Sequence, residues 1–226
     1  PEESHADQGL PVNAMITQRP GRLIPRPSFT ELSGLKGATI SEGPLYKGLA
    51  AYLGLAFHPL GLGLQPGPAY AERLRAALSL ASEYDFIHVH SKWPDKAAHT
   101  KDVGYKVRVI EELDQALDQH MDRLLHDPEL LVVLTADHST PSTGPLVHSG
   151  EPVPVIIRGE HVRCDTVDRF NEVSTAPGSL GFVRGLELFY MVLNYLDKSK
   201  LMGIMDTERD QMYWPGSYTA FSMNQD

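Results

Sequence analysis

Residues 84–137 contain, in order, the segments YDFIHVH (84–90), DVGYKVRVIEELDQALDQHMDRLL (102–125) and LLVVLTAD (130–137). The first segment is rich in β-branched and aromatic residues, which favours a strand. The second repeats apolar residues in steps of three and four from Val107 to Leu124, which predicts a long helix. The third is an unbroken apolar run, typical of a central parallel strand that is covered on both faces. A strand, a helix and another strand in this order indicate an α/β fold.

Segments on either side continue the alternation of strands and helices. We predict strands at residues 36–40, 55–60 and 152–159, and helices at residues 44–54, 69–83 and 184–198. Pro44 suits the first turn of its helix, because the amide hydrogen that proline lacks would have no acceptor there. The predicted fold class is therefore α/β, with a mostly parallel sheet and helices on both of its faces.

The two ends of the chain differ from its middle in composition and in apolar periodicity. Residues 1–35 are rich in proline and predict extended or loop structure after a short apolar strand, VNAMIT (12–17). Residues 201–226 have no clear period and are expected to dock on the surface or to be disordered. Residues 36–200 are left as the folded core. The chain also begins at Pro1 rather than at a methionine, which is typical of the middle of a longer protein.

Composition excludes several classes of protein. The 226 residues include 20 Lys and Arg against 29 Asp and Glu, and the formal net charge of −9 argues against binding to nucleic acid or to an anionic membrane. No segment approaches the roughly 18 consecutive apolar residues of a membrane-spanning helix. Cys164 is the single cysteine, which excludes an internal disulfide and a multi-cysteine zinc site. A reducing, cytoplasmic setting is the simplest expectation.

Carboxylate and imidazole side chains gather in three short blocks. Asp95 and His99 lie four residues apart in WPDKAAHTKD, where a strand passes into a helix. Four residues on a helix place two side chains on one face, within reach of a single ion. Asp137 and His138 directly follow the apolar strand in TADHSTP, and His148 lies in the loop LVHSGEPVP. Open α/β sheets bind ligands beyond the carboxyl ends of their strands, which is where these blocks fall.

Each block alone has a simpler explanation. A single loop histidine is usually solvated, a four-residue spacing often arises by chance, and Asp137 could cap a turn. Together, two carboxylates and three imidazoles at one edge of a sheet indicate a metal centre. Oxygen and nitrogen ligands without a thiolate suit Mn²⁺, Zn²⁺ or a similar ion, in one or two sites. Two ions about 4 Å apart are a common device for clamping a phosphoryl group.

The remaining histidines and the glycine-rich loop contribute less. His88 and His90 alternate with apolar residues on a strand, so one of them is expected to face the core. A solvated role is expected for His120 and His126. The loop GLGLQPGP lacks the spacing and the lysine of a phosphate-binding loop.

A resemblance to a known family rests on HVHSKWPDKAAHTKD, VVLTADHSTP and VHSGEPVPVII. These blocks resemble the metal-binding half of cofactor-independent phosphoglycerate mutases of the archaeal type, within the alkaline phosphatase superfamily. The similarity extends to SFTELSGLKGATISEGPLYKGLAAYLGL and to APGSLGFVRG, and so covers most of residues 13–197. It implies an alkaline-phosphatase-like core that lacks the N-terminal block of the family.

The resemblance implies a site for two divalent ions. Asp95, His99 and His148 would hold one metal, while Asp137 and His138 would contribute to the other. Mn²⁺ is the expected ion, with Mg²⁺ or Zn²⁺ as alternatives, and 2,3-bisphosphoglycerate is not expected as a cofactor. The implied substrates are the small phosphorylated acids 3-phosphoglycerate and 2-phosphoglycerate. Nucleic acid and membranes are not expected as partners.

Three basic side chains also match family positions. Lys47, within PLYKG, matches a family lysine placed near the nucleophile and the transferring phosphoryl group. His90 and Lys92 match positions in the block at the strand end, and their roles are left open.

Two features depart from the family pattern. The nucleophilic serine of the family, and a further metal-binding aspartate, lie in an N-terminal block that nothing in residues 1–30 matches. Relatives also insert a second domain before the part seen here, and residues 1–35 resemble its trailing end. A substrate-contacting arginine of the family falls on Gln18, so Arg19 or Arg22 would replace it by a small shift. The alternative is that both are solvated loop arginines.

The function implied by the resemblance is the interconversion of 3- and 2-phosphoglycerate through a phosphoserine. The chain would supply most of the metal ligands while the attacking serine lies outside it, so the isolated piece is expected to be inactive. One alternative is a metal-dependent phosphatase or another phosphomutase of the same superfamily, since the same ligands serve all of these reactions. The other is a non-catalytic domain that binds metal.

Overall fold

Five strands and eight helices make up the part of the chain that the computed structural model describes, residues 21–198. The strands are β1 (Gly37–Ser41), β2 (Ala56–Pro59), β3 (Phe86–Val89), β4 (Val132–Thr135) and β5 (Val155–Arg158). The helices are α1 (Phe29–Ser33), α2 (Pro44–Leu53), α3 (Pro66–Leu80), α4 (Trp93–His99), α5 (Val103–Asp118), α6 (Met121–His126), α7 (Glu172–Thr175) and α8 (Gly185–Tyr195). None of these helices is both long enough and apolar enough to cross a membrane. The predicted strand at 12–17 and the extension at 201–226 lie outside the described residues.

A three-stranded parallel sheet forms the centre of the fold, with β1 between β2 and β3. Ala38 of β1 is aligned with Ala56 of β2 and with Ile87 of β3. Every residue of β1 is buried. The chain leaves β1 through α2 to reach β2, and then crosses back through α3 to reach β3. Because such crossovers are right-handed, α2 and α3 lie on opposite faces of the sheet, and the predicted fold class is confirmed.

β4 and β5 form a separate two-stranded antiparallel ladder, in which Val132 is aligned with Arg158 and Thr135 with Val155. The prediction of a central parallel strand at LLVVLTAD is therefore wrong. Within residues 21–198, β4 pairs only with β5, and none of its residues is fully buried. An apolar run reports partial burial, but it does not encode the direction or the number of the neighbouring strands.

The segment predicted as one helix, residues 102–125, is divided into α5 and α6 by a tight turn at Gln119 and His120. The amide groups of both turn residues donate to the carbonyl of Leu117. Neither glycine nor proline marks this turn, so the sequence gives no local signal of the break.

The buried face of α5 differs from the predicted apolar stripe. Val109 and Ala116 are fully buried where α5 packs against α3 and α4. Val107 and Ile110, which belong to the predicted stripe, are each 48% exposed. Apolar residues in steps of three and four fit more than one stripe on this helix, and the neighbouring helices select one of them.

The proline-rich segment before residue 36 contains a short helix that its composition does not predict. Ser28 and Glu31 form a capping box at α1: Ser28 Oγ accepts from the Glu31 amide at 3.2 Å, and the Glu31 carboxylate accepts from the Ser28 amide at 2.7 Å. Phe29 then packs against Phe86 and Phe189, with ring centroids 5.0 and 5.6 Å away. These aromatic contacts join α1, β3 and α8.

Arg73 of α3 ties together the carboxyl ends of the three parallel strands. Its side chain is fully buried, and it donates to the carbonyl of Leu60 after β2 at 3.0 Å and to the carbonyl of His90 after β3 at 2.7 Å. Its third nitrogen pairs with Glu42 after β1 at 3.1 Å, and Glu42 also pairs with Lys96 of α4 at 3.2 Å. One buried cation thus sets the spacing of the strand ends.

Candidate metal centre

Asp95 and His99 lie on α4, just beyond the carboxyl end of β3. Pro94 occupies the first turn of this helix, where its missing amide hydrogen breaks no hydrogen bond. Ala97 and Ala98 are fully buried, so their side of α4 packs on the core. The opposite side of the helix is therefore directed away from the core. Asp95 Oδ1 lies 3.3 Å from His99 Nε2, one helical turn away. The two side chains share one face, as their spacing predicts.

His148 reaches the same carboxylate from the loop between β4 and β5. Its Nε2 lies 3.3 Å from Asp95 Oδ1, and its ring centroid is 5.3 Å from that of His99. The potential ligand atoms of these three residues all lie within 4.8 Å of one another. One carboxylate and two imidazoles therefore face a common point.

Asp137 and His138 follow β4 and lie beside this triad. His138 Nε2 is 3.4 Å from Asp137 Oδ2, and the rings of His138 and His148 are 4.2 Å apart between centroids. The buried hydroxyl of Thr140 joins the two groups, since it donates to Asp95 Oδ1 at 3.0 Å and lies 3.2 Å from His138 Nδ1. Of the five residues selected from the sequence as metal ligands, Asp95, His99 and His148 thus share one point, while Asp137 and His138 lie beside it.

Asp95 is held in its ionised form. Burial raises the pKa of Asp95, but hydrogen bonds from Lys92 and Thr140 and the attraction of Lys92 and His99 outweigh burial, so that its pKa falls to about 2. Lys92 Nζ lies 2.9 Å from Asp95 Oδ2, while Oδ1 faces the histidines. The hydrogen bond to Asp95 in turn raises the pKa of Lys92. An ionised carboxylate is the form that binds a metal.

This donor set fits a divalent ion. A carboxylate oxygen and two imidazole nitrogens suit Mn²⁺, Zn²⁺ and related ions. Asp95 Oδ1 is 3.3 Å from the Nε2 atom of each histidine. An ion about 2.1 Å from that oxygen and from one of these nitrogens would hold the two atoms at an angle of about 100°, which lies between the octahedral and the tetrahedral values. Asp137 and His138 offer two further donors, and no third described residue completes a separate group around them.

The two histidines of the strand end share one face. His88 Nδ1 lies 2.9 Å from Thr39 Oγ1, His90 Nε2 lies 2.8 Å from Tyr46 Oη, and the two imidazole rings are 5.9 Å apart. Residues two apart on a strand point to the same side, so both rings lie together and both are partly buried, where the expectation was that one of them would face the core. Burial lowers the pKa of both rings, to about 4 for His90, while the charge of Asp137 opposes the shift.

Lys47 and Arg22 make no hydrogen bond or ion pair with the triad, in contrast to Lys92. Lys47 is on α2, one residue after Tyr46, and its exposed ammonium group makes no hydrogen bond or ion pair with a described residue. Arg22 is exposed in the irregular segment before α1. Arg19 lies outside the described residues. The catalytic and substrate-binding roles of these three side chains stay predictions.

Two residues with a part in the site are missed by reasoning from the sequence. Thr140 lies within the ligand block TADHSTP, and a small hydroxyl two residues after His138 is the signal that could have found it. Tyr46 has no such signal, because it reaches His90 from a separate helix 44 residues earlier in the chain.

Comparison with known proteins gives the family. A family model described as the metalloenzyme superfamily matches residues 1–195. The chain belongs to this superfamily. The 2,3-bisphosphoglycerate-independent phosphoglycerate mutase 2 of Methanocaldococcus jannaschii is 39% identical over 208 residues, which are 91% of this chain and 45% of that protein. A protein from Pyrobaculum arsenaticum named 2,3-bisphosphoglycerate-independent phosphoglycerate mutase is 35% identical over 195 residues, 86% of this chain and 46% of its own.

These relatives confirm the resemblance to archaeal cofactor-independent phosphoglycerate mutases. The chain spans about half the length of the curated relatives it matches. A solved structure of a Pyrococcus horikoshii protein superposes with a TM-score of 0.72 at 30% identity, over 78% of this chain and 53% of that chain. The cofactor-independent phosphoglycerate mutase of Thermoplasma acidophilum gives a TM-score of 0.50 at 28% identity, over 70% of this chain and 35% of that chain.

Proposed function

We propose that this chain is the metal-binding part of a phosphoglycerate mutase, which interconverts 3- and 2-phosphoglycerate through a phosphoserine. The attacking serine is assigned to a segment outside the 226 residues. The names of the archaeal relatives support both the reaction and its independence from 2,3-bisphosphoglycerate. Their greater length leaves room for a nucleophile elsewhere.

The observation that carries this proposal is the triad of Asp95, His99 and His148, whose ligand atoms lie within 4.8 Å of one another. We assign one divalent ion to this triad, with Mn²⁺ as the first choice and Mg²⁺ or Zn²⁺ as alternatives. Asp137 and His138 are assigned to a second ion, together with ligands from outside the chain. The side chains of His99 and His148 are 39% and 45% exposed, so a substrate could approach the ion that they hold.

When bound, the two ions would activate a serine hydroxyl and neutralise the charge on the phosphoryl oxygens. The residues of this chain set up that chemistry. Lys92 keeps Asp95 ionised and leaves Oδ1 facing the histidines. The free ammonium of Lys47 is proposed to contact the phosphoryl group, where a positive charge stabilises the developing negative charge. Arg19 and Arg22 are proposed to bind substrate.

The test is a product analysis on the longer protein that contains this chain. With 3-phosphoglycerate and Mn²⁺, we expect 2-phosphoglycerate without release of inorganic phosphate. Asp95→Asn removes the charge shared by both histidines and should lower kcat/KM by about 100-fold or more. Asp114→Asn removes the same charge from an exposed position on α5 and is the matched control.

Three outcomes would count against the proposal. Release of inorganic phosphate without 2-phosphoglycerate would identify a metal-dependent hydrolase. Metal binding without turnover of any phosphate ester would identify a non-catalytic domain. Equal activities of Asp95→Asn and Asp114→Asn would show that the triad takes no part in the reaction.

A further inference from the structure

The loop between β4 and β5 holds three of the five metal-ligand residues but has little regular structure. Within the described chain its backbone forms one isolated bridge, between Ser139 and Ser149. Leu146 and Val147 are 57% and 59% exposed, so apolar packing does little to fix this part of the loop. Other contacts must hold His148 in place.

Two lysines hold the loop by its carbonyl groups. Lys101 Nζ donates to the carbonyl of Pro141 at 2.9 Å and to the carbonyl of Leu146 at 2.6 Å. Lys106 Nζ, from α5, donates to the carbonyl of Thr140 at 2.8 Å. Hydrogen bonds from a charged donor are stronger than those between neutral groups. The corner between α4 and α5 is thereby joined to three points of the loop.

Lys101 has a backbone conformation that lysine rarely adopts. Its φ of 61° lies in the left-handed region, which it shares with only one other non-glycine residue among the described ones, Asp197. A side chain is strained in that region, whereas glycine is not. Glycine would satisfy the backbone here but could not reach the loop. Strain of this kind persists where the surrounding contacts compensate for it.

We propose that Lys101 is a positioning residue for the metal centre: its ammonium group holds the loop at Pro141 and Leu146 and so presents His148 to Asp95. Lys101 follows His99 by two residues, and the Leu146 carbonyl that it binds precedes His148 by two residues. Its side chain therefore connects the end of α4, which carries His99, to the part of the loop that carries His148. This inference rests on the proposed function, because it takes the triad as a metal site.

The first experiment measures amide hydrogen exchange in the metal-free chain. Lys101→Met keeps the apolar stem but removes the donor, and it should speed exchange of the Ser149 amide, which donates to the Ser139 carbonyl at 3.1 Å, while leaving β1 unchanged. Lys36→Met is the matched control, since Lys36 lies at the opposite end of the sheet, with its ammonium 4.5 Å from the ring of Tyr84. A wild-type exchange rate of the Ser149 amide in Lys101→Met would overturn the proposal.

The second experiment measures Mn²⁺ affinity and melting temperature together. Lys101→Gly relieves the backbone strain and should keep the melting temperature at or near that of the wild type, yet weaken Mn²⁺ binding by about 10-fold. Lys101→Arg retains a charged donor and should bind Mn²⁺ within about 3-fold of the wild type. Unchanged affinity in Lys101→Gly would overturn the positioning role.

A separate result would identify a failure of the proposed function. If the wild-type chain and Asp95→Asn both bind no Mn²⁺, the triad is not a metal site and Lys101 has no metal to serve. The exchange experiment contains no metal, so faster exchange in Lys101→Met would still show that this side chain holds the loop.

Discussion

The partly buried imidazole of His90, at the edge of the site, makes the stability of the protein depend on pH. His90 Nε2 lies 2.8 Å from the Tyr46 hydroxyl, and Nδ1 is buried without a hydrogen-bond partner among the described residues. Burial above all, helped by His88, Lys92 and Arg73 and opposed by Asp137, lowers the pKa of His90 to about 4. The folded protein therefore holds this ring neutral at pH values where an unfolded chain would protonate it.

We expect this histidine to weaken the fold as the pH falls from 6.5 to about 4. In that window His90 binds up to one more proton in the unfolded chain than in the folded chain. The free energy of unfolding therefore falls as the pH falls. The full shift would be about 3 kcal/mol, and solvent screening of a partly exposed ring reduces it to about 1–2 kcal/mol. Urea titrations across this range should show a flatter pH profile for His90→Gln.

The matched control is His126→Gln, which removes an imidazole from a side chain that is 74% exposed. It should keep the pH profile of the wild type. An unchanged profile in His90→Gln would mean that other groups produce the acid sensitivity.

Single residues differ in how far the sequence predicts their place in the site. The meeting of Asp95 and His99 follows from their spacing alone, because four residues complete about one turn of a helix. His148 approaches through an irregular loop, so only its position beyond a strand and the family resemblance predict the contact. Tyr46 meets His90 through the packing of α2 on the sheet, which no local pattern encodes.

At the scale of elements, α3 holds the sheet through one side chain, and removing that side chain should be costly. Arg73→Met leaves the carbonyls of Leu60 and His90 without their donor and removes one of the two cations on Glu42. We expect the free energy of unfolding to fall by about 3 kcal/mol, measured by urea denaturation. Arg75→Met, at an exposed position on the same helix, should change it by no more than about 0.5 kcal/mol.

A second variant separates charge from geometry. Arg73→Lys keeps the cation but has one nitrogen in place of three, so it should recover only part of the lost stability. Equal stabilities of Arg73→Met and Arg75→Met would show that the buried guanidinium does not hold the strand ends.

The same scale shows which elements could be predicted. β1 and α2 follow from local signals, namely a short apolar run and a proline followed by an amphipathic period. The antiparallel pairing of β4 with β5 could not be predicted, because a long loop separates them and no turn motif fixes their direction. The break before α6 depends on how the flanking helices pack rather than on any residue at the turn.

At the scale of the whole molecule, the sequence predicts the family better than the domain bounds. Motif blocks from separate parts of the chain identify the family. Their side chains meet in one place, and the chemistry of a metal site allows only a few residue types there. Bounds at residues 1–35, 36–200 and 201–226 stay predictions, since they concern segments that the described range of 21–198 contains only in part.

The 226-residue chain by itself should bind Mn²⁺ but should not convert 3-phosphoglycerate to 2-phosphoglycerate. Transfer through a phosphoserine needs a free hydroxyl facing the ions. Among the described residues, the hydroxyl in contact with Asp95 is that of Thr140, which is 4% exposed and donates a hydrogen bond to the carboxylate. An enolase-coupled assay on the chain, with the longer protein as the positive control, measures the difference. Turnover by the chain alone would place the nucleophile within these residues, and Thr140→Val would then test the nearest hydroxyl.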